Sequence, residues 1–232
     1  LTPRRLLRAV GRHVPTRITE FSEQEVANTI YGMALLKFRQ PSFLSACCSH
    51  ILSKISEFKP RGVSCILYSL ALLEFHEDDF YTGVCDQIQH RLPEFNAQDI
   101  SNTLYGLALL DITHSGLLSA VATEMPRRLS EFSGQGLSNV VYGYGLLDQR
   151  YPGLLSAVAK HVPERIEEMT EQNISNIVWA FGLLGFSDAV LLRFLASALP
   201  PRLSEFSHQG ICMVAHGLAL MQPSDHRTVS AG

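Results

Sequence analysis

The sequence repeats itself every 37 residues. Phe21, Phe58, Phe95, Phe132, Met169 and Phe206 mark the same point of six successive units, spaced by 37 with no insertion. The words ITEFSEQEVANTIYGMALL, LPEFNAQDISNTLYGLALL, LSEFSGQGLSNVVYGYGLL and IEEMTEQNISNIVWAFGLL are near copies. A unit this short cannot bury its apolar side alone. It must stack on its neighbours, which restricts the chain to a linear array.

Each unit reads as two helices. Ser22, Asn96, Ser133, Thr170 and Ser207 stand at an N-cap just after the anchor, and Glu25 and Asp99 follow three residues later, as in a capping box. Lys59 breaks that pattern, but Pro60 then falls at a first helical position, where the missing N–H costs nothing. The second helix runs to a double leucine such as Leu35-Leu36 or Leu109-Leu110. In the preceding helix, columns headed by Leu7, Val10, Val14 and Ile18 share one face by steps of three, four and four. Pro15, Pro126, Pro163 and Pro200 fall inside that helix and predict a kink. Small residues recur in the second helix at columns headed by Ala27, Gly32 and Ala34, which predicts close helix contact. The expected architecture is all-α: a right-handed αα-solenoid of six 37-residue helix–turn–helix repeats. It forms a single domain over 1–222, with a loosely ordered tail over 223–232.

The sequence F-S-x-Q-x-[IL]-S-N-x-x-[YW]-[GA], at a period of 37 over Leu6 to Met221, resembles the octotricopeptide and heptatricopeptide repeat families. These include the repeat regions of organellar RAP-domain proteins. The resemblance implies organellar RNA work: maturation, stability or translation of transcripts, or holding ribosomal RNA in a divergent mitochondrial ribosome. The second unit departs from the pattern with Arg61, Cys65 and Ser69, and the sixth with Cys212, Met213 and His216. A bare array without a RAP-like domain reads as an assembly component. The first residue, Leu1, reads as the start of a processed or partial chain.

Composition narrows the functions. With 46% hydrophobic and 18% charged residues the chain is neither disordered nor, at a net charge of −3, coated in cations. No apolar run reaches membrane-span length. The five cysteines form no CxxC pair, so neither a disulfide framework nor a zinc site is expected. Nucleotide-binding loops, HExxH and GxSxG are missing from the sequence, and no enzyme, metal, cofactor or small-molecule substrate is expected.

Charge is unevenly placed. Residues 1–62 hold ten Lys/Arg against four acids, and the remaining 170 hold nine against eighteen. Arg4, Arg5, Arg8 and Arg12 crowd the first helix, with Arg4, Arg8 and Arg12 on one face. A second candidate is the basic column Arg17, Lys54, Arg91, Arg128, Arg165 and Arg202, which could follow a phosphate backbone. An acid stands three residues after each, from Glu20 to Glu205, so paired structural ladders are the competing reading.

Three further columns carry two readings each. The amides Gln24, Gln98, Gln135, Gln172 and Gln209, with Asn28, Asn102, Asn139 and Asn176, either read bases or tie repeats together; their near-identity favours the tie. The column Glu25, Gly62, Asp99, Gly136, Asn173 and Gly210 varies as a base reader must, and as an unconstrained surface also does. The aromatics Tyr31, Tyr68, Tyr105, Tyr142 and Trp179 suit stacking on bases or packing between repeats.

The expected function is a non-catalytic RNA-binding repeat protein of the mitochondrion, with the plastid as alternative. Its sharper form is a mitochondrial ribosome subunit that clamps ribosomal RNA among neighbouring proteins of a ribonucleoprotein. The alternative is a protein–protein scaffold without an RNA role.

Overall fold

The computed structural model describes residues 4–221. The tail expected over 223–232 lies outside the described residues. Among them are twelve α-helices, two per repeat, and no strand. The first helices are α1 (Arg4–His13), α3 (Pro41–Ser53), α5 (Asp78–His90), α7 (Ser115–Glu124), α9 (Pro152–Arg165) and α11 (Ala189–Ala198). The second helices are α2 (Glu23–Leu35), α4 (Pro60–Leu72), α6 (Ala97–Leu109), α8 (Gly134–Leu146), α10 (Glu171–Leu183) and α12 (His208–Met221). Each second helix packs on the next, and each first helix on the next, so the protein is an all-α solenoid.

The second helices start where the sequence places them. Ser22 with Glu25, Asn96 with Asp99 and Thr170 with Asn173 form reciprocal capping boxes. Ser133 and Ser207 accept from the N–H three residues on, and Pro60 opens α4. The helices end in a left-handed residue at one repeat position: Lys37, Glu74, Asp111, Asp148 and Gly185 all have φ between 48° and 57°. In the first repeat the Lys37 N–H donates to the Ala34 carbonyl and the Phe38 N–H to the Met33 carbonyl, each at 2.9 Å. That pair of bonds is a Schellman stop, which satisfies carbonyls the helix leaves open.

The first helices are shorter than the apolar columns predict. The chain leaves the α-conformation at the basic column, where Arg17, Lys54, Arg91, Arg128 and Arg165 have φ from −131° to −107° and ψ from 2° to 17°. A short 3-10 turn follows, as at Ile55–Glu57 and Leu129–Glu131. Ile18, Ile55, Leu92, Leu129 and Ile166 still reach the core from these turns. The expected kink holds its proline inside a helix only at Pro163 in α9. Pro15, Pro126 and Pro200 instead open 3-10 segments, where a proline forfeits no helical bond.

One continuous core runs from Val14 to Met221. The second helices lie closest together, because small residues line both of their seams. A Cβ on Gly106 would stand 3.3 Å from the Leu67 carbonyl, and one on Gly143 would stand 3.3 Å from that of Leu104. The array therefore bends toward its second helices, which form the inner face.

Candidate binding surfaces

Three of the six residues in the basic column, Arg91, Arg128 and Arg202, tie the repeats together. Arg91, Arg165 and Arg202 pair with the acid three residues on, at 2.8, 2.8 and 3.1 Å, and Arg128 with Glu131 at 2.8 Å. Arg128 also donates to the Phe95 carbonyl at 2.8 Å, and Arg91 to that of Ile55 at 3.2 Å. Arg202 reaches the carbonyls of Ile166 and Met169 at 2.9 and 2.8 Å. These acceptors belong to the preceding repeat. Among the described residues Arg17 pairs with Glu20 alone and is more than half exposed. Lys54 is half-buried and makes no ion pair among the described residues. The guanidinium partners hold Glu20, Glu94 and Glu131 below the usual carboxylate range.

At the amino-terminal end Arg4, Arg8 and Arg12 of α1 meet Lys37 and Arg39 around a groove of about 530 Å³. Phe38, Gln40 and Pro41 complete its lining, which contains no acid. All five cations are exposed. Two sequence features build the site: i,i+4 spacing on α1, and the left-handed Lys37 that turns the chain out of α2. Sequence reasoning named Arg4, Arg5, Arg8 and Arg12 but missed Lys37 and Arg39, which come from the following turn. Arg5 is exposed and lies outside the groove lining.

The inner face carries a second groove, of about 570 Å³, from Tyr68 to Gln209. Its walls are Tyr68, Tyr105 and Tyr142 with the amides Asn102, Gln135, Asn139, Gln172, Asn173, Asn176 and Gln209. The rings form a ladder: Tyr68 to Tyr105 is 6.2 Å between centroids, Tyr105 to Tyr142 is 6.3 Å, and Tyr142 to Trp179 is 5.3 Å. These are distances of directly packed rings, so no base fits between neighbours. Burial pushes the hydroxyls of Tyr105 and Tyr142 up, which keeps both as protonated donors.

The expected tie between repeats through amides is not what this stripe forms. Gln24, Gln98, Gln135, Gln172 and Gln209 are exposed. The one side-chain bond within the stripe joins Gln172 to Asn176 in the same helix, at 2.8 Å.

The variable column does face a neighbour. Asp99 is 4% exposed and accepts from Ser64 of the preceding repeat at 3.1 Å. A Cβ on Gly136 would stand 3.0 Å from the Ser101 hydroxyl, and one on Gly210 would stand 2.9 Å from that of Ser175. At Asp99, Gly136 and Gly210 the seam leaves no room for a base reader. Asp99, Gly136 and Gly210 each meet a serine of the preceding repeat, whereas Glu25 is exposed and a Cβ on Gly62 would meet nothing within 4 Å.

Among the described residues no helix is long and apolar enough to cross a membrane, and no three His, Cys, Asp or Glu converge as a metal site. Burial raises the Cys47 and Cys85 thiols to about 12, far from a nucleophile's range.

The fold and its surfaces define a helical-repeat protein with one cationic end and one uncharged inner groove. Residues 1–231 match the family described as RNA-editing substrate-binding complex 6 protein, and the chain belongs to that family. The match supports the helical-repeat, RNA-associated part of the sequence reading; it does not extend to the octotricopeptide or heptatricopeptide families. No curated protein matches the chain.

Proposed function

We propose that this chain is a non-catalytic, RNA-associated subunit of a mitochondrial RNA-editing assembly. Its family description supports the assembly and the RNA. That description names an editing complex, so it supersedes the ribosomal subunit and the ribosomal RNA as the finer reading.

The observation that carries an RNA contact is the groove of Arg4, Arg8, Arg12, Lys37 and Arg39, five cations with no acid in the lining. Such a cluster neutralises several phosphates at once and gives affinity without base readout. Arg17 and Lys54 of the basic column make no bond to another repeat among the described residues and remain available as further phosphate contacts. Arg91, Arg128 and Arg202 serve the repeat seams.

The test is a salt titration of binding to a single-stranded 20-nucleotide RNA. The wild-type slope of log K against log salt should be about −0.7 per phosphate contacted. Arg4, Arg8 and Arg12 changed together to Glu should weaken binding at least tenfold and flatten the slope. Glu substituted at Arg193, on the outer surface of α11, serves as the control. Unchanged affinity in the triple variant rejects the site.

A further inference from the structure

One face of each second helix remains to be explained. In α6 it carries Gln98, Asn102, Tyr105 and Leu109, at steps of four, three and four, which align within one narrow sector. Repeated along the array, these positions make four parallel rows across the inner face: amide, amide, aromatic, leucine.

The leucine row is the anomaly. Leu35, Leu72, Leu109, Leu183 and Leu220 are 62%, 41%, 43%, 37% and 41% exposed, and Leu146 between them is half-buried against the core. Of eleven large apolar side chains exposed among the described residues, six belong to this row and to Tyr31 of the aromatic row. Scattered exposed leucines need no explanation, but a contiguous row beside a polar one marks a docking surface.

The chemistry of the rows selects the occupant. The groove lining contains no Lys or Arg, so it offers a phosphate backbone nothing to neutralise it. Amides both donate and accept, as the main chain of an extended peptide does. A helix has already satisfied its own main chain and would leave the amides idle. The same residue types recur in successive repeats, so what they recognise must also recur along the ligand. Neighbouring ring centroids of the ladder stand 5.3 to 6.3 Å apart. An extended strand advances about 6.6–6.8 Å per two residues and turns alternate side chains to the same side.

We propose that the inner groove binds an extended, uncharged segment of a partner protein, about ten residues long over five repeats at two residues per repeat. Its main chain bonds to the Gln and Asn rows. Its alternate side chains, apolar ones, lie on the Tyr/Trp and Leu rows. Arg61 and Cys65 replace both amides in the second repeat, and Met213 and His216 replace the Asn and the ring in the sixth, so main-chain capture by both amides runs over the third to fifth repeats, with Gln209 beyond them. The groove is separate from the cationic end, so this proposal stands or falls independently of the RNA reading.

The test places a benzoylphenylalanine photocrosslinker at Leu72, Leu109 or Leu183 in the full chain, in its own cells, with Thr123 on the outer surface as control. Irradiated adducts are split with nuclease and with protease. The expected adducts are protein, and the three positions map in order along one contiguous segment of one partner. Adducts on RNA, adducts scattered over unrelated proteins, or adducts no more abundant than at Thr123 overturn the proposal.

A synthetic peptide of the mapped segment then serves as ligand. N-methylation of alternate main-chain nitrogens should cost at least tenfold in one register and little in the other. Asn102→Ala, Asn139→Ala and Asn176→Ala together should weaken that peptide at least tenfold while RNA affinity and helicity hold. Equal tolerance of both methylated registers would overturn main-chain recognition.

Discussion

The Arg128 guanidinium donates to the Phe95 carbonyl at 2.8 Å while it holds Glu131 of its own repeat at 2.8 Å. One side chain thereby joins a seam and closes the turn that follows its helix. Its side chain is only 14% exposed and that of Glu131 is 49% exposed, so the bond to the carbonyl is the better shielded of the two. Arg128→Ala leaves the carbonyl without its donor and should cost about 2 kcal/mol, measured by denaturant unfolding. Arg128→Lys keeps the charge but not the fork, and should recover only part of that loss.

Two members of one glycine column should respond to alanine with opposite signs. Among the described residues a Cβ on Gly32 meets nothing within 4 Å. Gly32→Ala therefore gains helix propensity alone, about 1 kcal/mol, and should raise Tm. A Cβ on Gly217 would stand 2.5 Å from the Val178 carbonyl and 2.8 Å from the Trp179 Cα. Both are backbone, so α12 must move off α10, and Gly217→Ala should lower Tm at a cost of about 2 kcal/mol.

Glu74, Asp111 and Asp148 occupy left-handed backbone that suits glycine, and Gly185 stands at the same position. Glycine at any of the three should stabilise by about 1 kcal/mol. Gly185→Ala should destabilise by a similar amount. Thermal melts of the four variants test this, and no change at Glu74→Gly would show that its backbone carries no strain.

The solenoid should loosen in acid. The folded protein holds Glu20, Glu94 and Glu131 below their ordinary value of 4.5. Their contribution is thus fully present above 4.5 and disappears as pH falls through the lowered folded values. Melting temperature should fall on that side, and Glu131→Gln should flatten part of the fall.

Thiol labelling should divide the cysteines. Cys47, Cys48 and Cys85 are buried, whereas Cys212 is exposed and Cys65 partly so. A maleimide should modify Cys212 first, Cys65 slowly, and the other three only in denaturant.

The repeat, the helix starts and the close seams were legible in the sequence because caps and small residues act locally. The stop signal was not. Lys37, Glu74, Asp111 and Asp148 sit where a glycine would announce a left-handed turn, and only Gly185 does so. The 3-10 turn was hidden because Ile55 or Leu129 keeps its place in the core whether or not the helix continues. Periodicity put Gln98 and Asn102 on one face but could not say that this face lines an open groove. It also left variation at Asp99 and Gly136 open to base reading or to freedom, when each meets a serine of the preceding second helix. Lys37 and Arg39 escaped notice because they join Arg4, Arg8 and Arg12 only through the turn after α2.

The acceptors that Arg91, Arg128 and Arg202 use are main-chain carbonyls, which every residue type supplies. A seam of this kind does not ask what its neighbour's side chains are. Duplication or loss of a whole 37-residue unit would therefore bring a ready donor to a ready acceptor, whereas a change of any other length would break register at once. The joint behaves as a universal coupling, and it makes the length of the array free to change while its pitch is fixed.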